Sequence, residues 1–394
     1  MSVKKRVVLG LSGGVDSSVA AYLLLEQGYD VQALFMINWK DSSVTLSGDC
    51  SWEEDKIIAE LVARKLKIPL HVVDSSEKYM SHVVDYMFNE YEKGRTPNPD
   101  VLCNREIKFD IFQQAALNLG ADYIATGHYC KTDTITVNGT TIYRLITAAD
   151  ANKDQSYFLC QLSQQQLSNV LFPLGEITKP QVREIAALLD LASATKKDSQ
   201  GICFVGKVDL PTFLQQKLQS KKGAIIEISN NFYNNLPIVE TGNLQQLSTP
   251  YAYVAENGKK VGEHNGAHFY TIGQRKGLKV GGMQYPLFVI ATDTVNNIVY
   301  VGQGDFHKGL YRKGLLINSK EIHWLRPDKI IEHNQQLEVM ARIRYRQPLQ
   351  KAIIYRKPEG LYMIFEKEQR GVTAGQFAVW YVDGELLGSG IISE

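Results

Sequence analysis

One stretch near the start of the chain, Arg6-Val-Val-Leu-Gly-Leu11 running directly into Ser12-Gly-Gly-Val-Asp-Ser-Ser18, constrains the fold more than any other. An apolar run rich in β-branched residues predicts a buried strand. Gly13 and Gly14 make a tight turn, and Val19, Ala20, Leu23 and Leu24 are spaced for a helix over residues 17–27. Strand, glycine turn and helix aim several backbone N–H groups and the positive end of a helix dipole at one point, which suits a phosphate. The stretch lacks the Gly-Lys-[Ser/Thr] ending of the common P-loop, whose lysine reaches the β- and γ-phosphates.

The alternation continues. Residues 30–37 read as a second strand, 52–66 as a helix, 70–74 as a third strand, 77–93 and 109–119 as helices, and 123–126 as a short strand. This predicts a doubly wound parallel sheet with its ligand at the carboxyl ends of the strands, where the glycine turn, Met36 and the Gly127-His128 pair fall. Asn138-Gly139 marks the tip of a hairpin that interrupts the unit, and helices are expected over 163–170 and 179–189. After about residue 207 helices are expected to vanish. Glycines, β-branched residues and turn signals such as Asn257-Gly258, Asn296-Asn297 and Asp383-Gly384 predict small all-β modules. The expected domains are 1–207 (α/β), 208–284 (central, β-rich, with a flexible inserted loop over 229–255) and 285–394 (C-terminal, all-β).

With 394 residues, 44% of them hydrophobic, the chain can build two or three cores. It has no apolar run of the roughly 18 residues that a membrane span needs. The apolar run after Lys4-Lys5 is too short for a secretory leader. Five scattered cysteines, Cys50, Cys103, Cys130, Cys160 and Cys203, do not suit a secreted disulfide framework, so a reducing cytoplasm is the expected compartment. Net charge is only +1, yet residues 308–357 hold twelve Lys/Arg against four Asp/Glu, a local +8 that leaves −7 for the remainder. Such a stretch suits either RNA phosphates or a solvated barrel surface.

Two segments place polar and reactive groups where a core has no use for them. In Gly94-Arg-Thr-Pro-Asn-Pro-Asp-Val-Leu-Cys-Asn-Arg-Glu-Ile-Lys-Phe109, Pro97 and Pro99 are expected to hold an extended backbone that presents Asn98 and Asp100 stiffly, with Cys103 three residues on. In Lys196-Lys-Asp-Ser-Gln-Gly-Ile-Cys-Phe-Val-Gly206, Cys203 lies near a glycine and close behind two lysines, a setting that favours thiolate. Cys130 and Cys160 read as buried small hydrophobes and Cys50 as a loop or structural residue. Arg342, Arg344 and Arg346 alternate with Ile343 and Tyr345, so a strand would show three cations on one face. Gly273-Gln-Arg-Lys-Gly277 makes a basic turn that a sugar–phosphate chain could approach.

Together these motifs resemble the bacterial tRNA-specific 2-thiouridylases of the MnmA/TrmU family. SGGVDSS at 12–18 matches the pyrophosphate loop of ATP-pyrophosphatases, which cut ATP at the α-phosphate. The match continues with GRTPNPDVLCNREIKF at 94–109, ATGHY at 125–129, NKDQSYFL at 152–159, KKDSQGICF at 196–204, GEHNGAHFYTIGQRKGL at 262–278 and RYRQ at 344–347. The resemblance implies a PP-loop domain of the adenine nucleotide α-hydrolase-like fold, a central β module and a tRNA-contacting C-terminal β-barrel. It implies ATP-dependent adenylation of C2 of the wobble uridine, position 34 of the tRNA, then persulfide transfer giving 2-thiouridine, AMP and pyrophosphate. AMP on the carbonyl oxygen makes that carbon electrophilic, and a persulfide is a soft nucleophile that can displace it.

Carried onto this chain, Gly10, Leu11, Ser12, Gly13, Gly14, Val15, Asp16, Ser17, Met36 and Gly127 would hold ATP, with Mg²⁺ bridging its phosphates. Asn98, Pro99 and Asp100 would meet the target base, Asp100 as acid/base. Cys203 would carry the persulfide, and Cys103 would release the sulfur and end disulfide-bonded to Cys203. His128, Lys153, Asp154, Gln155, Arg344, Tyr345 and Gln347 would touch tRNA of the Lys, Glu and Gln type. A cysteine desulfurase or sulfur-relay protein would be the donor, and no membrane is involved. The two thiols separate this reading from an amide-forming or lysidine-type ligase with the same loop. Intact Asp16, Asp100, Cys103 and Cys203 separate it from an RNA-binding protein without catalysis. Asp100, Cys103 and Cys203 would alternatively ligate an iron–sulfur cluster as sulfur carrier. Residues 229–255 exceed the family pattern in length.

Overall fold

The computed structural model describes residues 4–40, 51–198, 210–237, 240 and 242–393. The first domain runs β1 (Arg6–Gly10), α1 (Val15–Glu26), β2 (Asp30–Ile37), α2 (Ser51–Leu66), β3 (Leu70–Asp74), β4 (Tyr123–Ala125), the hairpin β5 (Cys130–Val137) and β6 (Thr140–Thr147), and β7 (Val170–Leu171). Its five-stranded parallel sheet has the order β3-β2-β1-β4-β7. Helices cover both faces, which is why β1 is a continuous apolar run. Val7 and Leu9 pack with Val19, Ala20 and Leu24 of α1 and with Val182 and Ala186, while Val8 faces the other way onto Phe109, Phe112 and Ala116. The order of connections reverses between β1 and β4, so the doubly wound expectation holds and its crevice opens beyond Gly10 and Ala125.

Two local expectations are corrected. Of residues 163–170 only Gln164–Leu167 is helical, and Val170 and Leu171 add an edge strand too short to show periodicity. The Pro97-Pro99 stretch is extended only as far as Asn98. That residue caps a helix, its Oδ1 accepting from the Val101 N–H at 3.3 Å, and Pro99 takes the first position, where a missing N–H costs nothing. Helical backbone then continues through Pro99–Leu102 and Cys103–Ile111, kinks at Phe109 (φ −106°, ψ 16°), and runs on through Phe112–Asn118. Cys103 therefore sits on a helix, not a loop.

The central sheet contains β8 (Gly223–Glu227), β9 (Lys259–His264), β10 (Leu287–Asp293) and β11 (Ile298–Gln303) in the order β10-β11-β8-β9. The strands expected to open the barrel at residue 285 thus complete this sheet instead. Two strands alone could not cover Ile225, which packs under Val289, Val299 and Val301. Helices do not vanish either: Leu210–Leu214 and Leu244–Ser248 are both helical. The described part of 229–255 is no open loop. Phe232, Tyr233, Tyr251 and Tyr253 form an aromatic cluster, with the Tyr233 and Tyr253 hydroxyls 2.7 Å apart.

The C-terminal strands are β12 (Tyr311–Trp324), β13 (Gln336–Arg342), β14 (Gln350–Arg356), β15 (Gly360–Arg370), β16 (Phe377–Val382) and β17 (Glu385–Ile392). They run β12-β15-β14-β13-β16-β17 and close by pairing β12 with β17, a six-stranded barrel. β6 pairs with β17 through Glu385↔Ile146, so the hairpin of the first domain is stitched to the barrel. Tyr157, Leu159, Cys160 and Leu162 share one core with Phe377, Val379, Tyr381 and Leu386, making the interface apolar.

Burial lowers the affinity of His128, His307 and His323 for a proton below the ordinary value of 6.5. The unfolded chain then binds protons first as pH falls, so stability is full above about 6.5 and declines below it. Urea midpoints should drop between about pH 7.5 and 5.5, and His323→Gln, which removes the contact to the Leu162 carbonyl, should flatten that decline. Equal midpoints at both pH values would contradict this assignment.

Candidate active site

The glycine turn sits at the switch point and is fixed from within. Ser17 Oγ accepts from the Ser12 N–H at 3.2 Å and donates to the Gly14 carbonyl at 3.1 Å, while Ser18 Oγ donates to the same carbonyl at 2.8 Å. The first-turn N–H groups of α1, which precede any intrahelical acceptor, face the crevice. Gly13 has φ +73°, and a Cβ there would lie 2.2 Å from the Asp55 carbonyl oxygen. A Cβ on Gly127 would lie 2.7 Å from the Ser17 nitrogen, because β4 delivers Gly127 against the start of α1.

Cations ring this loop. Asp16 Oδ1 accepts from the Tyr129 hydroxyl and from Lys179 Nζ, each at 2.7 Å. Lys179 also reaches Asp198 at 2.8 Å, joined there by Lys153 at 2.6 Å and Arg183 at 2.7 Å. Burial opposes ionisation of Asp198, but Lys153 and Lys179 outweigh it and hold the carboxyl well below its usual range. Lys196 pairs with Asp55 and reaches the Gly13 carbonyl at 3.3 Å. Lys179 and Arg183 were not singled out from sequence; the signal was their spacing four apart on one helix face, while Lys196, read as favouring a Cys203 thiolate, pairs here with Asp55. Lys153, expected at tRNA, lies in this cluster through its pair with Asp198.

Across the crevice, Cys103 is fully buried among Trp39, Tyr79, Leu102, Ile107 and Phe213. Asn98, Pro99 and Asp100 start its helix and are half-buried. His128 bridges the two halves. Asn104 gives its amide protons to the carbonyls of Asp100 (3.1 Å) and Phe158 (3.0 Å), leaving its oxygen to accept from His128 Nε2 at 3.1 Å. Gln155 Oε1 lies 3.3 Å from His128 Nδ1. Burial first, and Lys108 second, push this imidazole well below its usual pKa, so it is neutral. Met36 is half-buried at the end of β2, between the cores on either side.

Cys130 and Cys160 are fully buried, and burial drives both thiols up, Cys160 to about 12. The sequence reading of both as small hydrophobes agrees. Cys203 and Cys50 lie outside the described residues. The flanks of the Cys203 stretch are described: Asp198 is tied to the cations at the glycine loop, and Phe213 and Leu214 are buried in the cluster that holds Cys103. Among the described residues no group of three His, Cys, Asp or Glu side chains could hold a metal ion.

The expected cationic strand face does not form. β13 ends at Arg342, whose side chain is buried and paired with Asp154 at 2.5 Å. Asp154 also accepts from the Ala148 N–H and from Ser156 Oγ, so it faces the domain interface, not an RNA-accessible surface. Residues 343–349 turn ahead of β14. Arg344 donates to the Gly371 carbonyl at 2.7 Å and Tyr345 packs on Phe158 with centroids 4.3 Å apart and the rings tilted by 36°. Gln347 donates to Gln369 Oε1 at 2.6 Å. Arg312 and Arg326 of the basic stretch are largely buried too, so part of that charge is structural. Arg344 and the Gly273 turn do meet the 94–109 segment. They line, with Thr96, Thr271 and Gln376, a cavity of about 330 Å³ where the three domains join. Gln376 Nε2 donates to the carbonyls of Thr96 (2.8 Å) and Pro97 (3.1 Å), fixing the approach to Asn98 from the barrel side.

A phosphate loop at the switch point, a cationic rim, a central β sheet and a C-terminal barrel define an ATP-binding HUP-domain enzyme. Residues 5–207 match the tRNA methyl transferase HUP domain, 244–303 the tRNA methyl transferase PRC-barrel domain and 315–392 the aminomethyltransferase beta-barrel domain. The tRNA-specific 2-thiouridylase MnmA of Flavobacterium johnsoniae is 59% identical over 99% of this chain and 100% of its own length. That of Christiangramia forsetii is 58% identical over 99% and 100%, and that of Legionella pneumophila 44% over 100% and 99%. The chain belongs to the MnmA family of tRNA-specific 2-thiouridylases, which are tRNA sulfurtransferases. No helix among the described residues is long and apolar enough to cross a membrane.

Gly13→Ala should weaken ATP binding by roughly a hundredfold, about 2.7 kcal/mol, because the Asp55 carbonyl leaves the loop no room to relax. Gly28→Ala, also at positive φ but with nothing within 4 Å, should bind ATP as wild type does. Calorimetric titration checks both, and equal affinities in the two variants would refute the steric argument.

Proposed function

We propose that this enzyme thiolates C2 of the wobble uridine in tRNA of the Lys, Glu and Gln type, in the cytoplasm, with sulfur from a cysteine desulfurase or relay protein. The uridine O2 attacks the α-phosphate of ATP held at residues 10–17, Met36 and Gly127, and pyrophosphate leaves. Asp16, in the first turn of α1, would hold a Mg²⁺ ion, which would neutralise charge on the departing pyrophosphate. The terminal sulfur of a Cys203 persulfide then bonds to C2 and AMP leaves. Cys103 thiolate attacks Cys203 Sγ and breaks its bond to the transferred sulfur, giving 2-thiouridine and a Cys103–Cys203 disulfide that an external thiol reduces. Asp100, one helical turn before Cys103, is the acid/base group for the base. Asn98, Pro99, His128, Gln155, Arg344, Tyr345 and Gln347 line the tRNA path.

The observation that carries this reading is the pair of anchors around the Cys203 stretch. One end is bound to the phosphate-loop cations, and the other is buried with Cys103. Nucleoside mass spectrometry on tRNA incubated with enzyme, ATP, Mg²⁺ and a desulfurase tests it. The expected result is 2-thiouridine, with pyrophosphate release that requires tRNA. Pyrophosphate release with an amine and no tRNA would overturn it.

A further inference from the structure

We propose that Lys179, Lys153 and Arg183 are the clamp for the β- and γ-phosphates of ATP, and that the Asp198 carboxylate occupies this clamp as an internal stand-in for phosphate. The inference rests on the ATP reading of the glycine loop. That loop has no lysine of its own, so the charge on the outer phosphates must be met from elsewhere. The helix Lys179–Leu188 supplies it. Its first residue, held by a backbone N–H bond to Asp150 Oδ2 at 2.9 Å, places Nζ on Asp16 of the loop at 2.7 Å.

Three cations converge on Asp198 within 2.8 Å, and Lys179 is shared between Asp198 and Asp16. The side chain of Lys179 is only 12% exposed, so its charge is poorly screened. A triphosphate answers it with several anionic oxygens arranged for ammonium and guanidinium donors. Arg183 is braced by the carbonyls of Ala194 (2.8 Å) and Lys196 (2.5 Å) and keeps its place, whereas each lysine is a point charge on a flexible stem. Carboxylate and phosphate draw on the same donors and therefore exclude one another.

Calorimetry with a non-cleavable ATP analogue, inorganic pyrophosphate and AMP tests this on the full chain. Lys179→Met should weaken the analogue and pyrophosphate by roughly tenfold while sparing AMP, and Lys179→Arg should retain most of the affinity. Asp198→Asn removes the competitor and should tighten pyrophosphate binding by about threefold or more. Asp198 is 35% exposed, so this variant remains decisive even if Lys179→Met fails to fold. Unchanged affinities in Lys179→Met, or weaker pyrophosphate binding in Asp198→Asn, would overturn the proposal. Failure of the wild-type protein to bind the analogue or pyrophosphate at all would instead overturn the ATP reading beneath it.

Discussion

Cys103→Ala is expected to reduce multiple-turnover formation of 2-thiouridine by roughly a thousandfold or more, the scale seen when a nucleophile is deleted. ATP affinity should stay within about twofold of wild type, because the phosphate loop is built from residues 10–17 and Gly127, and Cys103 belongs to a different core. Loss of one sulfur atom from a closed apolar cluster should cost only about 1–2 kcal/mol of stability, so the variant folds. Cys130→Ala and Cys160→Ala remove equally buried thiols and should carry a similar stability cost with near-normal turnover. Their thiols are held neutral by burial and touch neither the loop nor the Cys103 cluster. Urea titration and nucleoside mass spectrometry on the three variants separate chemistry from packing. Similar turnover in all three would remove Cys103 from the mechanism.

Arg342→Met should destabilise the protein by about 3–5 kcal/mol, the penalty for leaving one partner of a buried ion pair alone. The side chains of Arg342 and Asp154 are 8% and 5% exposed, and the guanidinium also touches Ser156 and the Tyr381 hydroxyl. The charge stranded in the variant is the Asp154 carboxylate, which faces the seam between the first domain and the barrel. Arg342→Met combined with Asp154→Leu should recover most of the loss, since apolar pairs of similar volume often replace buried ion pairs without cost. Denaturation midpoints decide it. A loss below about 1 kcal/mol would mean that solvent reaches this pair.

The phosphate loop and the doubly wound sheet were legible because their determinants are local: an apolar run, two glycines and one helical period. Glycines 13 and 127 show why the motif needs those residues, since each position faces backbone atoms at less than 3 Å from a Cβ. What sequence reasoning missed depends on partners far along the chain. Arg342 looked like one of three displayed cations, but Asp154, nearly two hundred positions earlier, draws it inward. Pro97 and Pro99 looked like paired breakers. Asn98 instead caps a helix, and proline is tolerated at its first position. Strands β10 and β11 carry the same β-branched signal as the barrel strands, and only the pairing of β11 with β8, with β10 beyond it, assigns them to the central sheet. The cationic rim was invisible for a related reason. Lys153, Lys179, Arg183 and Asp198 are ordinary surface residue types, scattered over 46 positions and gathered only by the fold.

The central claim is that one round of thiolation passes through both Cys103 and Cys203. Its most direct test is peptide mapping after a single turnover with persulfide-loaded enzyme, ATP, Mg²⁺ and tRNA, quenched without reductant. The account predicts a Cys103–Cys203 disulfide peptide in about equal amount to the 2-thiouridine formed. Full yield of 2-thiouridine with both thiols still alkylatable would contradict it.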